Sequence, residues 1–65
     1  MIPKWTGELV GKMHINDISI QNLADKTSLN PKYVGMILNG KKTPPGAEER
    51  LNKAVDEIIQ TKVEN

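Results

Sequence analysis

The sequence predicts an all-α protein, a compact domain of four helices. Three observations support this prediction. Apolar residues recur at three- and four-residue spacing in four segments, which is the period of an amphipathic helix. Short stretches containing asparagine, glycine and proline separate these segments, at residues 16–17, 28–31 and 39–46. A length of 65 residues suits one domain and not two, so residues 1–65 are taken as a single domain.

Composition argues against several classes of protein. The chain has no cysteine, which excludes a disulfide framework and every thiolate-based zinc site. His14 is its single histidine, and no helix presents the carboxylates needed to complete a metal site, so we expect no metal and no cofactor. No apolar run approaches the roughly 20 residues of a membrane span, and no signal peptide is evident. The expected location is therefore the cytoplasm.

Charge is unevenly distributed along the chain, although the net charge is only +1. Residues 1–47 carry six lysines and three carboxylates, a balance of +3, whereas residues 48–65 carry three basic and five acidic residues, a balance of −2. This asymmetry either turns a mildly positive face toward a polyanion or is ordinary surface variation.

The first helix is predicted over about 3–14. Its apolar face consists of residues four apart, Trp5, Leu9 and Met13. Gly7 and Gly11 each destabilise a helix by about 1 kcal/mol relative to alanine. We interpret them as positions where another helix can approach closely.

The second helix is predicted over 20–27, because Ser19 is a favourable N-cap. Four residues are expected on its inner face, Ile20, Leu23, Ala24 and Thr27. A helix of about two turns does not persist alone in water, so packing against its neighbours must hold it.

The third helix is predicted over 31–38, with Asn30 as N-cap and Pro31 at the first helical position. Its apolar stripe is Val34, Ile37 and Leu38, and the pair Asn39-Gly40 ends the helix.

The fourth helix is predicted over about 45–61, with two glutamates in its first turn where they complement the helix dipole. Its stripe is Ala47, Leu51, Ala54, Val55, Ile58 and Ile59.

The junction between the second and third helices has a coherent pattern. Two short helices that cross steeply need a small residue where their backbones meet, and Ala24 fits that position. Leu29 fills the wedge between the helices, while Val34 and Ile37 face inward from the third. The rest of the third helix is turned outward, as in a helix presented to a groove.

Two stretches of the chain extend this pattern, Ser19-Ile20-Gln21-Asn22-Leu23-Ala24 and Tyr33-Val34-Gly35-Met36-Ile37-Leu38-Asn39-Gly40-Lys41-Lys42-Thr43-Pro44-Pro45. With them the chain resembles the helix-turn-helix of Cro and the phage repressors, the xenobiotic-response-element (XRE) family. The resemblance is strong over residues 18–45 and looser over 5–60. It implies a lambda repressor-like fold and sequence-specific binding of double-stranded DNA. It further implies transcriptional regulation in a bacterium or phage, with the third helix in the major groove and a homodimer on DNA.

The sequence departs from the family at two positions. Ser28 stands where the family usually has glycine in a left-handed conformation, at a cost on the order of 1 kcal/mol. Ile20 stands where the family usually has a glutamine that contacts phosphate, and Gln21 follows it. The amides at the start of this helix stay available to an anion.

The resemblance implies a set of DNA-binding residues around the third helix, Asn30, Pro31, Lys32, Tyr33, Met36, Asn39, Lys41 and Lys42, with Ser19 and Gln21 from the second helix. Lys32 either donates to guanine O6 and N7 or to phosphate, or is a solvated lysine. Tyr33 either reaches phosphate or sugar or is a half-buried boundary residue. Met36 either contacts a thymine methyl group or belongs to the core. Lys41 and Lys42 are expected to contact phosphates, which supply affinity without reading sequence.

An enzyme is not expected. Ser19, His14 and Asp17 have residue types suited to acyl transfer, but Ser19 is needed as a helix cap. Asp17 and Asp25 lack a partner on one helical face for acid–base chemistry. Sixty-five residues also leave little room for an enclosed pocket, and no small-molecule ligand is evident.

Two questions stay open from the sequence. A helix-turn-helix scaffold also serves as a protein-interaction module of the antitoxin or anti-repressor type, which the weakly basic third helix would fit. The surface of a homodimer is the other question. Its candidate residues are Ile58, Ile59 and Val63 near the C-terminus and Trp5 near the N-terminus. The alternative is that Trp5 and Ile58 belong to the core and that Val63 lies in a frayed helix end.

Overall fold

The computed structural model of the chain describes the backbone of residues 2–64 and the side chains of residues 2–62. Four helices make up this part of the chain, α1 (Lys4–Ile15), α2 (Ile20–Thr27), α3 (Pro31–Leu38) and α4 (Ala47–Glu64). It contains no β-strand. The radius of gyration is 11.1 Å, close to the value of about 10.7 Å expected for a compact domain of this length. The prediction of a compact all-α domain is confirmed.

The helix boundaries agree closely with those predicted, except at α4. Helices α2 and α3 have the predicted limits, and α1 is shifted by one residue because Pro3 is its N-cap. Helix α4 was expected from about residue 45 and begins instead at Ala47. The reason is Gly46, whose φ of 77° lies in the left-handed region and is incompatible with a right-handed helix. At its other end α4 continues to Glu64, beyond the predicted end at 61.

The core lies where the helices meet in pairs: α2 packs against α3 and α4, and α1 packs against the same two helices. Twelve apolar side chains are buried there, Leu9, Met13, Ile18, Leu23, Ala24, Val34, Ile37, Leu38, Ala47, Leu51, Ala54 and Val55. Five more are partly buried against them, Trp5, Leu29, Tyr33, Ile58 and Ile59. The stripes predicted for α3 and α4 therefore lie at or against the core.

Two expectations about the core are wrong. Ile20 was placed on the inner face of α2, yet 42% of its surface is exposed, because the first residue of α2 lies at an open groove instead of between packed helices. Gly7 and Gly11 were interpreted as points of close helix approach. Both are exposed, and no atom lies within 4 Å of the position that a Cβ would take at either residue. They lie opposite the buried side chains of α1 and face away from the core.

Helices α1, α2 and α3 end in the same hydrogen-bonding arrangement. A residue with a left-handed backbone conformation follows each helix, and the amide of the next residue donates to a carbonyl in the last helical turn. At α2, Ser28 has φ 60° and its amide donates to the Asp25 carbonyl at 3.4 Å, while the Leu29 amide donates to the Ala24 carbonyl at 2.9 Å. Asp17 (φ 58°) and Gly40 (φ 78°) have the equivalent positions at α1 and α3. This is the Schellman motif, which satisfies carbonyls that the helix end leaves unbonded.

Replacing Ser28 by glycine is expected to stabilise the protein by about 1 kcal/mol, because glycine adopts a left-handed conformation without the steric strain of a Cβ. For a domain of this size that corresponds to an increase in Tm of about 4–8 °C. Thermal unfolding followed by circular dichroism measures it. The opposite change at the equivalent residue of α3, Gly40→Ala, should lower Tm. A Ser28→Gly variant no more stable than the parent would show that serine is unstrained here.

Candidate nucleic-acid interface

Helix α3 has one buried face and one exposed face. Val34, Ile37 and Leu38 are buried in the core. Residues spaced three or four apart on the other side form what we call the outer face, Lys32, Gly35, Met36 and Asn39. Lys32 and Asn39 are exposed, whereas Gly35 and Met36 are half-buried. The outer face thus presents one cation and one amide, with an apolar side chain and a glycine between them.

The first turn of α3 is fixed by its own residues. The Asn30 side-chain oxygen accepts a hydrogen bond from the Lys32 amide at 2.8 Å, and half-buried Pro31 has the first helical position. Asn30 was predicted both as the N-cap of α3 and as a DNA contact, and the structure confirms the cap. This cap positions the backbone of Lys32 at the start of the outer face.

The start of α2 is closed by a capping box. The Ser19 hydroxyl accepts from the Asn22 amide and the Asn22 side-chain oxygen accepts from the Ser19 amide, both at 3.0 Å. The Gln21 side-chain nitrogen donates to the Asp25 carboxylate at 2.8 Å. Both predicted contact residues, Ser19 and Gln21, are exposed but already bonded within α2. In the described part of the chain, the backbone amides of Ile20 and Gln21 have no acceptor.

The loop after α3 holds two lysines in place through their backbone. The amides of Lys41 and Lys42 both donate to the Met36 carbonyl, at 2.9 and 3.3 Å, and the Gly40 amide donates to the Ile37 carbonyl at 3.1 Å. Both lysine side chains are exposed. Their backbone is therefore fixed to the last turn of α3 while their ammonium groups are free to reach outward.

The lysines differ in whether another described residue engages their ammonium group. Lys12 pairs with Asp56, Lys26 lies 3.7 Å from Glu57, and Lys62 donates to two backbone carbonyls at the end of α1. By contrast, the lysines at and after α3, Lys32, Lys41 and Lys42, form no ion pair with any described residue. Residues 26–47 include four lysines and no carboxylate. The cations around the outer face are thus unneutralised, as are Lys4 and Lys53, which also form no ion pair with a described residue.

Tyr33 lies at the boundary between the core and the surface. It is half-buried and packs against the core, beside a small pocket of about 80 Å³. The other lining residues are Leu29, Ile37, Pro44, Pro45, Ala47, Arg50 and Leu51. This placement favours the boundary role for Tyr33 over a phosphate contact.

Two features of the structure were missed in the sequence. An open groove of about 260 Å³ adjoins the outer face, lined by Val10, Met13, His14, Ile18, Ile20, Gly35, Leu38 and Asn39. The unusual isoleucine after the N-cap of α2 was the one available signal for this groove. The second feature is Arg50, whose guanidinium donates to the Thr27 carbonyl at 2.9 Å and ties α4 to the end of α2. No sequence pattern marks a contact between residues so far apart.

The candidate dimer residues are only partly placed. Trp5, Ile58 and Ile59 are half-buried and pack against the core, which favours a structural role for each. Val63 lies outside the residues whose side chains are described.

No group of three or more histidine, aspartate or glutamate side chains suited to a metal ion occurs among the described residues. Nor does any described helix combine the length and the hydropathy needed to cross a membrane.

Comparison of the chain with protein-family models, with curated proteins and with solved structures finds no match.

Proposed function

We propose that α2 and α3 form a helix-turn-helix of the Cro and phage-repressor type, and that the protein binds double-stranded DNA sequence-specifically as a transcriptional regulator. Helix α3 enters the major groove with its outer face toward the bases. The observation that supports this most is the exposed face of α3, whose three nearby lysines have no acidic partner in the described structure.

The distribution of charge fits a polyanionic ligand. Lys32 lies in the first turn of α3, and Lys41 and Lys42 follow its last turn, so cations flank the outer face at both ends of the helix. Phosphate contacts of this kind position a protein on the duplex and supply much of its affinity. The free amides at the start of α2 add two donors for a phosphate.

Catalysis has less support. The one serine with a nearby histidine in sequence, Ser19, uses its hydroxyl as an acceptor in the capping box of α2. The carboxylate of Asp25 accepts a hydrogen bond from the Gln21 side chain, and Asp17 adopts a left-handed backbone conformation just after α1. These groups have structural roles, so we favour binding over chemistry.

The experiment that tests this proposal is selection of bound duplexes from a random DNA pool, with a Lys32→Ala variant in parallel. We expect the parent to enrich a short motif with twofold symmetry, because proteins of this type bind as pairs on half-sites about one helical turn apart. The variant should enrich an altered motif or none. A parent protein that enriches nothing at low salt would overturn the proposal.

A second candidate function is that of a protein-interaction module. The observation that favours it is that the outer face has few polar side chains, because Gly35 and Met36 lie between Lys32 and Asn39. Salt dependence separates the two functions. If three lysines contact phosphates, log K should fall with log salt with a slope of about −2.7, whereas an apolar protein interface should show little slope.

Single lysine variants measure the same property residue by residue. We expect Lys41→Ala and Lys42→Ala each to reduce the magnitude of this slope by about 0.9, because each removes one phosphate contact and the counterion that it releases. The motif selected from the pool should stay the same, since a phosphate contact carries no base information. Fluorescence anisotropy over a range of salt concentrations gives the slopes. Slopes equal to that of the parent would place these lysines away from the duplex.

A further inference from the structure

Few hydrogen-bonding side chains are left to recognise bases near the outer face. The oxygens of Ser19 and Asn30 cap α2 and α3, and Gln21 is bonded to Asp25. Among the residues expected to touch DNA, Lys32 and Asn39 are those on the outer face with a polar side chain free of any such bond. Recognition by hydrogen bonds to base edges is therefore limited to about one position at each end of α3.

Apolar groups, in contrast, are exposed at the centre of the same surface. Ile20 is 42% exposed and lines the open groove together with Gly35, and half-buried Met36 follows Gly35 on the outer face of α3. Apart from the two adjoining residues and the backbone of α3 itself, no atom lies within 4 Å of the position that a Cβ would take at Gly35, so this part of α3 leaves room for a ligand to approach the backbone. No carboxylate lines this groove, whereas the open groove along α4 that includes Lys26 and Lys53 is also lined by Glu49, Asp56 and Glu57.

We propose that this surface recognises thymine through its C5 methyl group, with Ile20 and Met36 as the residues that determine specificity and Gly35 as the point of closest approach. The proposal rests on the proposed function. In the major groove, the methyl group of thymine is the apolar feature by which base pairs differ, and the other distinguishing features are hydrogen-bond donors and acceptors. An apolar surface flanked by unpaired lysines suits a methyl group that is presented between phosphates.

The expected energetic effect follows from the burial of one methyl group. Removing a methyl that is fully buried on binding weakens the complex by about fourfold, and two such groups together by about fifteenfold. A methyl group that stays in solvent has no effect. The difference is large enough to resolve by titration of each duplex.

The test uses the duplex selected by the parent protein, with its thymines replaced one at a time by deoxyuridine, which lacks only the C5 methyl. We expect one or two positions in each half-site at which uracil weakens binding by about fourfold. In the Ile20→Ala or Met36→Ala variant this thymine–uracil difference should disappear. Ile15→Ala is the matched control, because Ile15 is 83% exposed at the end of α1 and lies outside the groove. That variant should retain the full difference.

The outcomes are distinguishable from those of the proposed function. Selection of a motif that is bound equally well with thymine or uracil at every position would overturn methyl recognition while DNA binding stands. A difference that persists in both the Ile20→Ala and Met36→Ala variants would overturn the assignment to these residues. Failure to enrich any duplex would overturn the proposed function and methyl recognition with it. Because the uracil substitution leaves the protein unchanged, the test of methyl recognition itself does not depend on the folding of a variant.

Discussion

Replacing Lys32, Lys41 and Lys42 together by alanine is expected to lower the affinity for the selected duplex by several hundredfold at about 0.1 M salt. Each lysine that contacts a phosphate releases a condensed counterion, and the favourable entropy of that release grows as the salt concentration falls. None of the three is paired with an acidic residue in the described structure, so no internal ion pair competes with the duplex. Anisotropy titrations of parent and variant at several salt concentrations measure both the affinity and its salt slope.

A matched control separates local contacts from overall charge. Lys12, Lys26 and Lys53 are also lysines on the surface, and their replacement by alanine removes the same three charges. Two of them pair with carboxylates of α4, and the third lies beside such carboxylates. We expect the control variant to lose far less affinity and to keep the salt slope of the parent. Equal losses in the two variants would show that only net charge matters, and would place the duplex elsewhere than at α3.

The parts of the fold that depend on local signals were predictable from the sequence. Helices α2 and α3 have the predicted limits because Ser19, Asn30 and Gly40 act within a few residues of themselves, as caps or as a left-handed helix end. The left-handed conformation expected at Ser28 is also present, at φ 60°. Local conformational preference thus determined these boundaries, and it misplaced the start of α4 only where Gly46 takes the same left-handed conformation.

Features that depend on distant residues were not predictable in the same way. The bond from Arg50 to the Thr27 carbonyl joins residues far apart in sequence, and no periodicity marks it. The ion pairs of Lys12 and Lys26 likewise depend on tertiary packing, which brings Asp56 and Glu57 of α4 close to them. Helical periodicity also cannot distinguish a glycine at a helix contact from one in solvent, as Gly7 and Gly11 illustrate.

The candidate site was predictable as a helix face but not as a set of free side chains. Spacing alone placed Lys32, Met36 and Asn39 on the same side of α3. Capping preference identified Ser19 and Asn30 as N-caps, but no sequence signal showed that the Gln21 side chain is bonded to Asp25 within α2. Because the two capping oxygens and the Gln21 side chain are engaged within the protein, we propose the apolar residues Ile20 and Met36, and not these polar ones, for base recognition.

Two truncations on α2 provide the sharpest test of the packing. Leu23 has no exposed surface, and Leu23→Ala is expected to lower the free energy of unfolding by about 2–5 kcal/mol, because it removes buried apolar contacts and leaves a cavity. A domain of 65 residues has a total stability of only about 3–10 kcal/mol. The loss is a large fraction of this total, so the Leu23→Ala protein should unfold at a much lower urea concentration than the parent in a titration followed by circular dichroism.

Ile20→Ala is the partner measurement, three residues earlier on the side of α2 that the sequence alone assigns to the core. Ile20 is 42% exposed, so its truncation should lower the free energy of unfolding by less than about 1 kcal/mol, partly offset by the higher helix propensity of alanine. A loss as large as that of Leu23→Ala would mean that Ile20 packs in the core and is not available to a ligand. A small loss combined with a changed preference for thymine would instead assign the exposed isoleucine to binding, because a residue with little effect on folding would then affect only recognition.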